Sequence, residues 1–237
     1  MNKYSFETFV VGPSNRLAYE SAKEVARRAG KAFNPLLFYG ASGLGATHLM
    51  RAIGHAVVKR NRDAKIAFIT GEAFTTGYID ALMRRRLPGF RKHYRDLDVL
   101  LLDDIQYFAG KEQTQAELIM IFNGLLAAHK QIVLTSDRPM VKSSRFSPRL
   151  ASLCASGLIT PLCAPDQETR IAILRNKRKA LKVMVPDEVL EHIARHVHTD
   201  IRRLVGVLIR VAADRSLDAR QLTRANVDHI LRDYGVD

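Results

Sequence analysis

The sequence predicts an α/β fold: a five-stranded, doubly wound parallel sheet sandwiched by helices over residues 1–164, then a small all-helical domain over residues 165–237. Three observations carry this prediction. Five short apolar runs alternate with stretches of helical spacing, as β/α units require. The first run leads straight into a glycine-rich turn and a helix start, Gly40-Ala41-Ser42-Gly43-Leu44-Gly45-Ala46-Thr47. Past Pro165 the strand-like runs cease and four helical patterns follow.

Taken in order, Ser14 is placed to cap a first helix with Leu17, Ala18, Ala22, Val25 and Ala26 on one face and a stop near Gly30. The strand Pro35 to Tyr39 precedes the glycine turn. A helix carrying Leu49, Met50, Ile53 and Val57 then leads to a second strand, Ile66 to Thr70. Two short helices, around Glu72 to Arg84 and Pro88 to Tyr94, separate it from a third strand. That strand, Val99 to Asp104, is apolar until its two terminal carboxylates. A long helix from about Gln113 to Ala128 follows, then a fourth strand, Gln131 to Thr135, and a fifth, Gly157 to Leu162. The helical domain comprises Asp166 to Leu181, Pro186 to His196, Thr199 to Asp214 and Thr223 to Tyr234, hinged near Ala164 and Pro165.

A chain of 237 residues with 47% hydrophobic and 26% charged residues can bury one sizeable core, or a core and a satellite. Its formal net charge of +13 favours contact with a polyanion such as nucleic acid, with solubility or genome bias as the alternative. The two cysteines, Cys154 and Cys163, lack C-x-x-C spacing, so neither a disulfide framework nor a zinc ribbon is indicated and buried thiols are expected. No apolar run approaches a membrane span and Met1-Asn2-Lys3-Tyr4 opens no signal peptide, so the expectation is a cytoplasmic protein with no membrane partner.

The glycine stretch has the layout G-x-x-x-x-G-K-[ST], in which backbone N–H groups and a helix N-terminus face an anion. Gly40, Gly45 and Thr47 hold their places, but position 46 is alanine instead of lysine. A tight strand-to-helix turn is the bland alternative. The third strand weighs against it, because in a parallel sheet functional groups gather at the carboxyl ends of strands. Asp103 is there to face the loop and help hold a hydrated Mg²⁺.

Several stretches together resemble the AAA+ domain of the DnaA family of bacterial replication initiators, nearly end to end. They are Phe6, Phe9-Val10-Val11-Gly12, Ser14-Asn15 and Leu17-Ala18; Asn34-Pro35-Leu36 with Tyr39-Gly40; and Gly43-Leu44-Gly45 with Thr47-His48-Leu49. They continue with Asp103-Asp104-Ile105-Gln106, Gly110-Lys111-Glu112, Gln131 to Pro139, and Glu168 to Leu174. The resemblance implies a P-loop AAA+ sheet with a helical lid, and ATP or ADP with Mg²⁺ held between them. It places Phe9 and Val11 at the adenine, and Gly40, Ser42, Gly43, Leu44, Gly45, Ala46, Thr47 and His48 around the phosphates. Thr47 and Asp103 fall at the metal, Asp104 by the attacking water, Asp137 as γ-phosphate sensor and Arg202 as the lid arginine.

The chain departs from that pattern at decisive places. Ala46 removes a point charge beside the polyphosphate, a charge-assisted bond contributing roughly 1.5 to 3 kcal/mol. Leu153 stands where the family places the arginine finger offered to a neighbouring subunit, a group worth about 10³ to 10⁵ in rate. Arg149 lies a helical turn away, roughly 5 to 6 Å along the axis. The expectation is therefore weak or absent nucleotide binding and a degenerate, inactive Asp104. The alternative is an initiator fragment that still binds ATP or ADP as a switch. The family's duplex-reading helix-turn-helix and its helicase-loading domain are not recognisable, so the chain reads as a fragment or as a stand-alone paralogue similar to Hda. The clamp-docking motif of such paralogues is not found at Met1-Asn2-Lys3.

Expected partners are DnaA-type subunits or further copies of this chain, and single-stranded DNA. Arg84, Arg85, Arg86, Arg91 and Lys92, with Arg95, fall on the family's initiator-specific helix pair and suit phosphate contacts without base readout. A merely solvated turn is the alternative. The lid cluster Arg175, Lys177, Arg178, Lys179 and Lys182 reads as a solvated face, and His192, His196 and His198 as surface histidines more than a metal site.

Overall fold

A computed structural model describes residues 4–139, 144–198, 200–217 and 224–235. The expected helix starts at Thr199 and Thr223 and the reading of Met1-Asn2-Lys3 lie outside the described residues. The chain divides into two compact units. The first comprises Met1–Phe9, Leu17–Ala41 and Ala46–Leu162; the second comprises Val10–Arg16, Ser42–Gly45 and Cys163–Asp237.

The sheet unit follows the order α1 (Arg16–Arg27), β1 (Leu36–Tyr39), α2 (Ala46–Arg60), β2 (Ile66–Thr70), α3 (Gly71–Met83), α4 (Leu87–Arg95) and β3 (Val99–Asp103). It continues with α5 (Glu112–Ala127), β4 (Gln131–Ser136), α6 (Pro148–Ala155) and β5 (Leu158–Pro161). All pairings are parallel, in the order β2-β3-β4-β1-β5. Every residue of β3 and β4 is buried, which explains the unbroken apolar runs Val99–Leu102 and Ile132–Leu134 within them: a strand covered on both faces loses the period of two. Parallel neighbours need crossover helices: α3 and α4 join β2 to β3 and α5 joins β3 to β4, while Leu49 and Ile53 of α2 and Leu118 and Phe122 of α5 are buried in the core. β1 beside β4 and β4 beside β3 brings three carboxyl ends together at one edge.

Small shifts from the sequence reading have local causes. Leu17 is 57% exposed, because the buried face of α1 is Ala18, Ser21, Ala22, Val25 and Ala26, about 100° of rotation away. Ser14 does not cap α1: its hydroxyl is buried and makes no hydrogen bond, while Asn15 accepts from Gly12 N and donates to Val10 O. Cys154 is buried, with desolvation pushing its thiol up to about 12, but Cys163 is exposed, contrary to expectation. The helix α6 and the 3-10 turns Phe6–Thr8 and Ile105–Phe108 lack a sequence period long enough to be read.

The end of α3 matters for the basic segment. Arg85 N donates to Leu82 O and Arg86 N to Ala81 O, closing a Schellman cap in which Arg85 takes the left-handed position at φ 55°. Glycine is the residue suited to that position. Arg85→Gly is expected to raise stability by about 1 kcal/mol, read from urea unfolding.

The second unit contains α7 (Gln167–Leu181), α8 (Asp187–His196), α9 (Ile201–Leu217) and α10 (Arg224–Asp233) around Leu174, Leu190, Ile193, Leu208 and Ile230. Asp166 caps α7 by accepting from Thr169 N at 2.7 Å. Arg170 is buried and donates to Ala194 O and Pro165 O, tying α7 to α8, and that desolvation lowers its pKa. Among the described residues no helix is long and apolar enough to cross a membrane.

Candidate functional site

In the sheet unit, Thr47 enters from the first turn of α2 and Asp103 from the last residue of β3. Thr47 Oγ1 donates to Asp103 Oδ2 at 2.9 Å. Thr135, one residue before the end of β4, donates to Asp103 Oδ1 at 2.5 Å and accepts from Asp104 N at 2.9 Å. The Asp103 residue is 5% exposed, and burial raises its pKa against the opposing pull of the two hydroxyls. A buried carboxylate beside a threonine hydroxyl offers the hard oxygens that Mg²⁺ prefers, so these residues fit such an ion. Among the described residues no three His, Cys, Asp or Glu side chains are grouped to hold a metal, so an ion here would need phosphate and water oxygens as well.

Asp104 leaves β3 in the left-handed conformation (φ 60°, ψ 55°) and is exposed. Gln106 clips two strand ends together, donating to Asp104 Oδ1 at 2.8 Å and accepting from Asp137 N at 3.3 Å. The Asp137 carboxylate is engaged by its neighbour: Arg138 Nε and Nη2 donate to its two oxygens at 2.8 and 2.7 Å. At the N-terminal segment, Phe9 stacks on Tyr19 (5.8 Å, 16°) and meets His48 edge-on at 5.2 Å. His48 Nε2 lies 2.9 Å from Ser5 O, so this histidine fastens residues 5–9 to α2.

The glycine stretch begins at Gly40, whose N–H donates to Ser136 O and whose Cα leaves no room for a side chain against Leu162 O. Gly43 (φ 91°) and Gly45 (φ 104°) take conformations that side chains resist. Ala46 is the first residue of α2 and presents a methyl group where an ammonium would be carried.

Within the second unit, residues 42–45 sit with the helical segments. Leu44 is buried, Ser42 exposed, and Val11 is 39% exposed. A Cβ at Gly43 would stand 2.2 Å from Asp200 Oδ1 and 3.6 Å from Arg202 Cγ. The structure thus brings the expected lid arginine to the glycine loop, together with an aspartate that belongs to no motif in the sequence. Only its place two residues before Arg202, at a helix start, could have marked Asp200.

Of the basic residues, Arg85, Arg86 and Lys92 are exposed, and Arg84 is exposed while pairing with Asp80 at 2.7 Å. Arg91 is different. Its Nε and Nη2 donate to the two oxygens of Glu117, each at 2.8 Å, and that bond raises its pKa. Leu153, at the expected finger position, packs partly buried against the core of the sheet unit, whereas Arg149 is exposed. On the helical unit Arg175 and Arg178 pair with Asp187, and His192 lies 2.6 Å from Asp228, all structural contacts.

Comparison with known proteins gives a consistent result. A family model for the bacterial DnaA ATPase domain matches residues 1–161. A chromosomal replication initiator protein DnaA of Thermus thermophilus is 48% identical over 231 residues, 98% of this chain and 53% of that protein. The chain thus spans about half the length of the curated relatives it matches. Domain III of the Thermotoga maritima replication initiation protein DnaA superposes with a TM-score of 0.94 at 39% identity, covering 99% of this chain and 98% of that one. A replication initiator DnaA bound to AMPPCP and single-stranded DNA gives a TM-score of 0.82 at 34% identity, covering 89% and 65%. The Thermotoga maritima RuvB branch-migration motor, at 17% identity and a TM-score of 0.70, shares the fold alone.

Proposed function

The chain belongs to the bacterial DnaA ATPase domain family, and from that premise we propose that it acts in replication initiation or its control as an AAA+ module with weakened nucleotide binding and no hydrolysis of its own. The observation that carries this reading is Ala46 at the first position of α2, beside an otherwise intact Thr47–Asp103–Thr135 arrangement. The backbone cradle and the metal-site oxygens favour ATP or ADP with Mg²⁺ as the ligand, but the missing ammonium leaves the phosphates without their nearest cation. Bound nucleotide would supply phosphate oxygens to a cation at Thr47 and Asp103. The chain's own part is to hold and orient: Gly43 and Gly45 present N–H groups, Asp103 stays buried among hydroxyls, and Gln106 fixes Asp104 and the backbone at Asp137.

Leu153 supports the second half of the reading. A leucine packed on the core cannot act in a neighbour's site, so a subunit carrying it joins an assembly of DnaA-type subunits or its own copies without passing on a finger. The place of action is the cytoplasm, where replication occurs. A domain that still binds ATP or ADP as a switch is the second reading, favoured by the retained Thr47–Asp103 pair. Calorimetric titration with ATP·Mg²⁺ separates the two: binding weaker than micromolar supports the first, and sub-micromolar binding overturns it.

Single-stranded DNA is the proposed polyanion, on the exposed guanidinium groups at the end of α3 and the Lys92 ammonium on α4. Anisotropy of a labelled oligothymidine across a salt series should show steeply salt-dependent binding. Reversing Arg84, Arg85 and Arg86 to Glu should lower the slope of log K against log salt by about 2, at roughly 0.7 per lost contact. An unchanged slope would remove this surface from consideration.

A further inference from the structure

The geometry points to Asp200 as a specificity-determining residue of the glycine loop, a fixed carboxylate that disfavours nucleoside triphosphates relative to diphosphates. The inference rests on the reading that this loop faces a polyphosphate. Asp200 precedes α9, and its Oδ1 accepts from Arg202 N at 2.7 Å and from Arg203 N at 3.3 Å. Those two bonds hold the carboxylate in place. The same oxygen lies so close to Gly43 that a Cβ there would stand 2.2 Å away. Among the described residues no lysine, arginine or histidine forms an ion pair with Asp200. Its charge is therefore not cancelled by a partner side chain, although the α9 amides attract it.

An anion bound to the loop's N–H groups sits about 3 Å from the backbone nitrogens, and so falls close to this fixed negative charge. The repulsion is Coulombic and grows with each phosphate. A lysine at position 46 would offset it, and Ala46 does not. Arg202, whose stem also lies against Gly43, carries the opposite charge on an exposed side chain, so the two residues flank the loop with opposing effects. Asp200 is the one pinned by backbone amides.

The test is calorimetric titration of ADP·Mg²⁺ and ATP·Mg²⁺ into the full chain and into Asp200→Asn, each also in an Ala46→Lys background where affinity is higher. Asparagine caps a helix as well as aspartate does, so the fold is kept while the charge is removed. A melting curve without nucleotide checks this, and Asp200→Ser is a second neutral cap. Expected is a gain of about tenfold for ATP, about 1.4 kcal/mol, and a smaller gain for ADP. Affinities left unchanged by Asp200→Asn in both backgrounds, or no nucleotide binding in any of the proteins, would overturn the inference. Sub-micromolar ATP binding by the unaltered chain would instead defeat the weak-binding reading, whatever Asp200 contributes.

Discussion

Restoring the missing ammonium with Ala46→Lys should raise the affinity for ATP·Mg²⁺ by about tenfold to about a hundredfold, corresponding to the roughly 1.5 to 3 kcal/mol of a charge-assisted bond. In the sheet unit Thr47 already contacts Asp103; Gly43 and Gly45 have the positive φ that glycine tolerates. Without nucleotide the new cation sits at the N-terminal turn of α2, where the helix dipole opposes it by about 0.3 to 1 kcal/mol. The variant should therefore melt slightly lower than the unaltered chain when empty and higher in saturating ATP·Mg²⁺. That crossing of the two melting curves is the signature to seek. Hydrolysis should not return, because Leu153 still leaves no finger to offer. Equal affinity of the two proteins would mean that the backbone cradle alone carries the phosphates and that Ala46 is no impediment.

Whether a residue's place is legible in the sequence follows from what that place depends on. The strands β3 and β4 can be read because burial on both faces leaves apolar runs at Val99–Leu102 and Ile132–Leu134, and the glycine loop because Gly43 and Gly45 take positive φ that side chains resist. Asp103 is legible for a related reason, since a carboxylate ending such a run has few places to go except the functional edge. The parallel order itself is not readable, because strand neighbours are chosen by tertiary packing. Residues whose role depends on a distant partner stay hidden. Asp200 looks like an ordinary helix cap until Gly43 is brought against it. Arg85 looks like one more basic residue, although it occupies a cap position that favours glycine. Leu17 misleads for the opposite reason: on a short helix of small residues a large side chain suggests the core, but the alanines set the buried face and leave it outside.

Arg91 shows the same limit with larger energetic consequences, since the sequence groups it with the phosphate-binding arginines and the structure commits it to Glu117. The Glu117 side chain is 3% exposed, and both its oxygens accept from the guanidinium. A carboxylate that buried is tolerable only while it is paired, so Arg91→Ala leaves an uncompensated charge between α4 and α5. Breaking such a pair destabilises by about 3 to 5 kcal/mol. Arg91 is 32% exposed, which places the effect at the lower end of that range. A loss of about 3 kcal/mol lowers the melting temperature of a domain this size by roughly 6 to 12 °C. Replacing both partners with apolar residues, Arg91→Met with Glu117→Leu, should recover most of the loss, because no charge remains to be solvated. The double variant then separates structure from DNA binding. If Arg91 is a strut, its affinity for oligothymidine should match that of the unaltered chain, while the Arg84 to Arg86 reversal still weakens binding. If affinity instead falls in the double variant as far as in the reversal, the guanidinium serves phosphate and Glu117 together, and the basic surface extends onto α4.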